Sequence, residues 1–155
     1  MGYFTFMDRA LISSIMHQHH NAPEQRVAQR ALAREITQLV HGEAAVGSAE
    51  RITEALFSGD PAGLGATDLR QMAQDGVPVV STNEPEFGLL EALVRASLAQ
   101  SNSAARKLVV SGSIRINGQI CTEPTRLLRL SEGLHGRYFL IRRGKREWAM
   151  VDQTG

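Results

Sequence analysis

The sequence predicts an α+β protein whose first part is all helix and whose second part runs from a helix pair into short strands. Three observations predict this. Up to Gly76 the apolar residues recur at spacings of three and four, the period of a helix with one buried face. Beyond Gly88 the helical spacing continues to Gly112 and then yields to two-residue alternation, with Asn117-Gly118 inside the alternating part. Charge divides in the same way. Residues 1–84 carry 6 Lys/Arg against 10 Asp/Glu, and residues 85–155 carry 11 against 6, beneath a net charge of only +1. An acidic half joined to a basic half points to two modules, one of which meets a polyanion.

The elements follow in order. In "DRALISSIMHQHH" Asp8 is placed to cap a helix whose stripe is Leu11, Ile12, Ile15 and Met16. Asn21 and Pro23 mark a turn. The next helix lines up Ala28, Leu32, Ile36 and Leu39 on one side, with Arg26, Arg30 and Arg34 elsewhere, and Gly42 interrupts or kinks it. A third helix aligns Ala45, Ala49, Ile52 and Leu56, and "SGDPAGLG" (Ser58–Gly65) stops it with glycines and a proline. A short fourth helix has Thr67 as its expected N-cap, Leu69, Met72 and Ala73 as its buried face, and Gly76 just past its end.

"VPVVSTNEPEFG" (Val77–Gly88) holds two prolines and no helical period, and is read as a linker. The expected organisation is therefore a helical domain at 1–76, a linker at 77–87 and a second domain at 88–155. In the second domain Leu89, Leu90, Leu93, Val94 and Leu98 form an amphipathic helix. Ser101 caps another, in which Ala105, Leu108 and Val109 face inward and Gly112 ends the helix. Arg106, Lys107 and Val110 are left on the outer side. "SIRINGQI" then alternates, with Ile114 and Ile116 inward and Arg115 outward. Asn-Gly suits a two-residue hairpin turn because both positions need positive φ. "RYFLIRR" and "REWAMV" read as two further strands joined through Gly144.

Composition excludes several classes. No apolar run approaches membrane-spanning length, and there is no basic segment followed by an apolar core of the secretory kind. Cys121 is the only cysteine, so no internal disulfide forms, and a reducing, cytoplasmic setting is expected. No catalytic constellation stands out. "GDPAGLG" lacks the Gly-Lys-Ser/Thr ending of a phosphate loop, and the carboxylates are scattered over helical faces without an acid/base pair. His17, His19 and His20 suit the C-terminal turn of a helix better than a metal site without further ligands, so no metal is expected.

The basic residues are different because several elements contribute them. Arg106 and Lys107 come from a helix, Arg115 from the hairpin, and Arg142, Arg143, Lys145 and Arg146 from a glycine turn. A cluster of this kind is ordinarily a solvated face. Its recurrence within one short module with few acids favours phosphate contacts, with backbone amides near Gly118 and Gly144 able to help.

"SNSAARKLVVSGSIRINGQ", "EPTRLL" and "FLIRRGKREWAMV" together resemble the RNA-binding domain named after ribosomal protein S-four. The carrying pattern is cap–x–x–x–Ala–Arg–Lys–apolar–apolar–x–x–Gly followed by Ile-x-Ile-Asn-Gly. Upstream, "AQRALAREITQLVHGEAAVGSAERITEALFSGD" and "LRQMAQDGVP" resemble the helical anticodon-side region of bacterial tyrosyl-tRNA synthetases, and the likeness runs from about Tyr3 to Val151. The resemblance implies a helix-turn-helix laid on a small antiparallel sheet, and tyrosine tRNA as partner through its anticodon stem and long variable arm. Carried onto this chain, it places RNA contacts at Arg106, Lys107, Asn117, Gly118, Arg142, Arg143 and Lys145, beside Arg115. The family's HIGH-like and KMSKS-like signatures and its βαβ pattern are not found here. The expectation is a C-terminal portion of such a ligase, not catalytic alone, with ATP and Mg belonging to the catalytic domain. The portion is expected to be a monomer, with the parent a homodimer through that catalytic domain. A free-standing S-four-type RNA-binding protein and a helical protein-interaction module are the alternatives, and salt-dependent, tRNA-selective binding separates the three.

Overall fold

The computed structural model describes residues 7–153, so Tyr3–Phe6, where the resemblance starts, lie outside the described residues. The chain divides into two compact units, 1–50 and 51–155.

The first unit is helical. Helix α1 spans Arg9–Asn21 and α2 spans Val27–His41, with a 3-10 turn at Pro23–Gln25 between them. Asp8 precedes α1 as expected, but its side chain makes no cap bond; its carbonyl accepts from Ile12 N at 3.0 Å. Gly42, at φ 83°, stops α2 outright, because few residues with a Cβ tolerate that backbone. Helix α3, Glu43–Ser58, starts at the next residue and continues into the second unit. Ile15, Ala28 and Val46 are buried, whereas Leu11, Met16, Ile36 and Leu39 are each more than 40% exposed. The apolar stripes named the helices correctly without all becoming core.

The second unit is built on a five-stranded sheet. Its strands are β1 (Val79–Thr82), β3 (Ile114–Ile116), β4 (Gln119–Cys121), β6 (Tyr138–Arg143) and β7 (Glu147–Gln153), in spatial order β1-β7-β6-β3-β4. A separate antiparallel pair joins β2 (Glu86–Gly88) to β5 (Leu127–Arg129). Successive strand residues face opposite sides, and the two sides carry two cores. Phe139, Ile141, Ile114, Ile116, Ala149 and Val151 pack with helices α5 (Leu89–Arg95) and α6 (Asn102–Val110). Tyr138, Leu140 and Met150 pack with the end of α3 and with α4 (Ala66–Gln74), through Ile52, Ala55, Leu64, Leu69 and Met72.

Local chemistry explains the helix boundaries. Ser101 Oγ accepts from Ala104 N at 3.2 Å and caps α6, and Gly112 follows it at φ 70°. Helix α5 stops at Arg95, earlier than the apolar spacing suggests. Leu98 N and Ala99 N both donate to Leu93 O, which folds the chain back around Ser97 at φ 59°. Thr67 is not the cap of α4. Gly65 occupies that position, and its N–H donates to Asp68 Oδ2 at 3.0 Å. Asp68 is 1% exposed, and its two oxygens also accept from Arg51 Nε and Nη2, each at 2.8 Å.

The Val77–Gly88 stretch, read as a linker, contains β1 and β2. Strand β1 runs parallel to β7, with Val79 opposite Met150, in a sheet whose other pairs are antiparallel. Both prolines stand just outside the strands, where a missing N–H costs no ladder bond, and Pro78 O accepts from Met150 N at 2.8 Å. A boundary at 77–87 would therefore separate α4 from the sheet face it covers. Limited proteolysis under native conditions is expected to spare 79–88, because Val80, Thr82 and Phe87 are buried. A first cut within that stretch would show that these strands do not hold.

Candidate nucleic-acid interface

Ion pairing divides the eleven cations of residues 85–155 into two groups. Arg95, Arg126, Arg129, Arg137 and Arg143 are paired with Glu91, Glu132, Glu86, Asp152 and Glu147. Hydrogen bonds donated to Glu86 and Asp152 are the chief cause that holds the Arg129 and Arg137 guanidinia above their ordinary pKa. Among the described residues, Arg106, Lys107, Arg115, Arg142, Lys145 and Arg146 have no carboxylate partner. Of these, Arg115 donates to Gly118 O at 3.1 Å and Arg142 Nε to Gly144 O at 2.9 Å. Four remain exposed and uncommitted: Arg106, Lys107, Lys145 and Arg146.

The four come from elements that adjoin. On α6, Ala105 and Val109 are fully buried against the sheet, which leaves Lys107 on the opposite side of the helix and Arg106 on its flank, both exposed. The β6–β7 turn carries Lys145 and Arg146, and Gly144 N donates to Ser113 O at 3.0 Å, tying that turn to the one after α6. Leu108, Ser113, Lys145 and Arg146 line a shallow cleft of about 400 Å³ between the two turns. Cations with no acid of their own to neutralise them, on adjoining surfaces, suit a run of phosphates.

The other expected contacts lie elsewhere. Arg115 and Arg142 are cross-strand partners, and Arg142 in turn faces Trp148, on the side of the sheet that packs on α3 and α4. The Arg142 guanidinium sits 5.4 Å over the Trp148 ring and so close to Gly59 that a Cβ there would overlap it. Asn117, at φ 49°, donates from its N–H to Leu140 O at 2.8 Å and accepts from Leu140 N at 2.9 Å through Oδ1. Gly118, at φ 86°, lies against Pro61 and Gly59. Gly118 and Arg142 thus lie against the α3–α4 loop, while Arg115 holds the hairpin tip to itself and Asn117 ties it to β6. Arg143, one residue on and therefore on the other face, donates to Leu98 O and pairs with Glu147. Of the eight expected contact residues, Arg106, Lys107 and Lys145 stand free. Arg146, outside the motif positions, joins them, because its neighbouring acid Glu147 is held by Arg143 across the turn.

Among the described residues, no group of three or more His, Cys, Asp or Glu is placed to hold a metal ion. No helix among them is long and apolar enough to cross a membrane.

A helix-turn-helix covering one face of a small sheet, with a cationic outer surface, defines the class: an α+β module of the helix-pair-on-sheet kind. Residues 68–151, more than half of the chain, match the family model described as the tyrosine–tRNA ligase SYY-like C-terminal domain, and the chain belongs to that family. The tyrosine–tRNA ligase of Dechloromonas aromatica (strain RCB) is 43% identical over 151 residues, covering 97% of this chain and 36% of that protein. The tyrosine–tRNA ligase of Klebsiella pneumoniae is 42% identical, covering 97% and 35%. The chain thus spans about a third of the length of the curated relatives it matches. A solution structure of a tyrosyl-tRNA synthetase C-terminal domain superposes with a TM-score of 0.51 at 34% identity, covering 64% of this chain and 100% of that one.

Proposed function

We propose that this chain is the tRNA-binding C-terminal portion of a tyrosine–tRNA ligase. It holds tyrosine tRNA so that the acceptor end meets the catalytic part of the ligase, where ATP and Mg would be used. Its contribution is positional: fixing a large substrate removes translational and rotational freedom from the reaction. The observation that carries this is the set of four exposed cations without carboxylate partners, Arg106, Lys107, Lys145 and Arg146, on adjoining elements. Family membership supports tyrosine tRNA as the RNA. Relatives about three times as long favour a ligase portion over a free-standing S-four-type protein. The same reading makes the portion a cytoplasmic monomer and leaves dimer formation to the catalytic part.

The test is titration of the purified chain with tyrosine tRNA and with an unrelated tRNA at several salt concentrations. Four phosphate contacts predict a log–log salt slope near −3, from about 0.7–0.9 counterions each. Tighter binding of tyrosine tRNA is expected at every salt concentration. Salt-independent binding would overturn the RNA reading, and equal affinity for both tRNAs would favour the free-standing alternative.

A further inference from the structure

A groove of about 620 Å³ lies beside β4, away from the cations just described. Its apolar lining comes from Ile116, Ile120, Leu134 and Phe139, and the exposed Gln119, Thr122 and Glu123 stand along it, the Glu123 carboxylate accepting from Thr125 Oγ1. Arg126 and Glu132 also line it and are paired with each other. Among the described residues, neither the Gln119 amide nor the Thr122 hydroxyl has a hydrogen-bond partner.

The backbone adds two more groups. Strand β4 is an edge of the sheet. Just past β3, Asn117 N donates to Leu140 O on the β6 side. By alternation, Ile114 and Ile116 then bond toward β4 through their partners Cys121 and Gln119. Ile120, the residue between, directs its N–H and C=O away from the sheet. The groove therefore presents one outward main-chain donor and acceptor, a free amide and a free hydroxyl beside the exposed apolar side chain of Ile120.

We propose that this groove seats one unpaired nucleobase of the bound RNA. The inference rests on the RNA-binding reading above and deepens it. A base is flat, apolar on its faces and lined with donors and acceptors along its edge, which matches these groups. A side-chain amide can bond a base edge in a bidentate way, and single-stranded or bulged nucleotides are where RNA sequence is read. The volume lies in the range of small-ligand sites. A peptide strand added to the sheet is the competing occupant, and the geometry disfavours it. Edge pairing draws its affinity from a row of main-chain bonds, and β4, three residues long, offers the outward pair of Ile120 alone. A Cβ on Gly112, just after α6, would meet Ile120 Cγ2 at 3.7 Å and Thr122 Cγ2 at 3.9 Å, so the base edge and the phosphate grip flank one turn.

The experiment uses the full chain, an RNA hairpin without a bulge, and four versions carrying a single bulged A, G, C or U. Gln119→Ala and Thr122→Val are compared with the parent, all confirmed folded by thermal melting. At least one bulged hairpin should bind the parent more tightly than the plain hairpin. Gln119→Ala should lose about tenfold on that RNA and nothing on the plain one, and the Ile120 amide resonance should shift only with the bulged RNA. If all five RNAs bind the parent equally, or Gln119→Ala weakens all five alike, the base seat is overturned while the phosphate reading stands. Absence of salt-dependent binding to every hairpin would remove both.

Discussion

Replacing Arg106 and Lys107 together by alanine is expected to weaken tyrosine tRNA binding on the order of tenfold to a hundredfold near 0.1 M salt, and to flatten the log–log slope by roughly 1–2 units. The magnitude follows from two phosphates no longer neutralised and their counterions no longer released. The fold should not notice. Both side chains are exposed beside fully buried Ala105 and Val109, neither has an ion pair among the described residues, and alanine is the strongest helix former. Exposed substitutions of this kind change stability by within about 0.5 kcal/mol each. RNA titration across a salt series, beside a thermal melt, separates the outcomes. Unchanged affinity in a folded variant would make the pair an ordinary solvated face. A large drop in melting temperature would mean that α6 is rotated the other way.

The second large effect concerns neighbouring residues of β6. Leu140→Ala and Ile141→Ala should each destabilise residues 51–155 by about 2–5 kcal/mol, the range for truncating a buried aliphatic side chain. Leu140 is 1% exposed in the core shared with α3 and α4, and Ile141 is 0% exposed in the core shared with α5 and α6. Because one strand serves both cores, either change should lower a single cooperative transition in denaturant, seen equally by probes on α4 and α6. Two separated transitions, with α4 melting alone in Leu140→Ala, would contradict this. That outcome would restore a domain boundary at 77–87.

The sequence already contained what local chemistry decides. Ser101 and Gly112 bracket α6 because a side-chain oxygen and a left-handed backbone are needed at those points. Asn117-Gly118 placed its turn to the residue for the same reason. The outward side of α6 was legible from Ala105, Leu108 and Val109 alone. Features set by tertiary contact were not legible. Strands β1, β2 and β5 have three or four residues, too few for a period to show, and prolines beside two of them resemble a linker. Arg142 belongs to a basic run, yet Trp148 and Gly59 come from β7 and the loop after α3, and no spacing reveals that meeting. The free state of Arg146 depends likewise on Arg143 reaching Glu147 across a turn. The basic cluster was visible as a cluster, and only the fold separates cations available to a ligand from those that hold the hairpin.

The parallel pairing of β1 with β7 has a consequence for how the molecule is made. Synthesis delivers β1 first, but its neighbour in the sheet lies some seventy residues later and is the last strand of the described chain. Closing so long a loop costs entropy before any contact repays it, and contacts distant in sequence slow folding. On a ribosome, Val80 and the sheet-facing side of α4 would wait without Val151 and Met150 while α5, α6 and the hairpin emerged. Over that interval a nascent chain exposes an unpaired strand and an uncovered apolar face, the features that draw chaperones and favour aggregation. This unit therefore completes its fold late and nearly all at once, when β7 slots between β1 and β6.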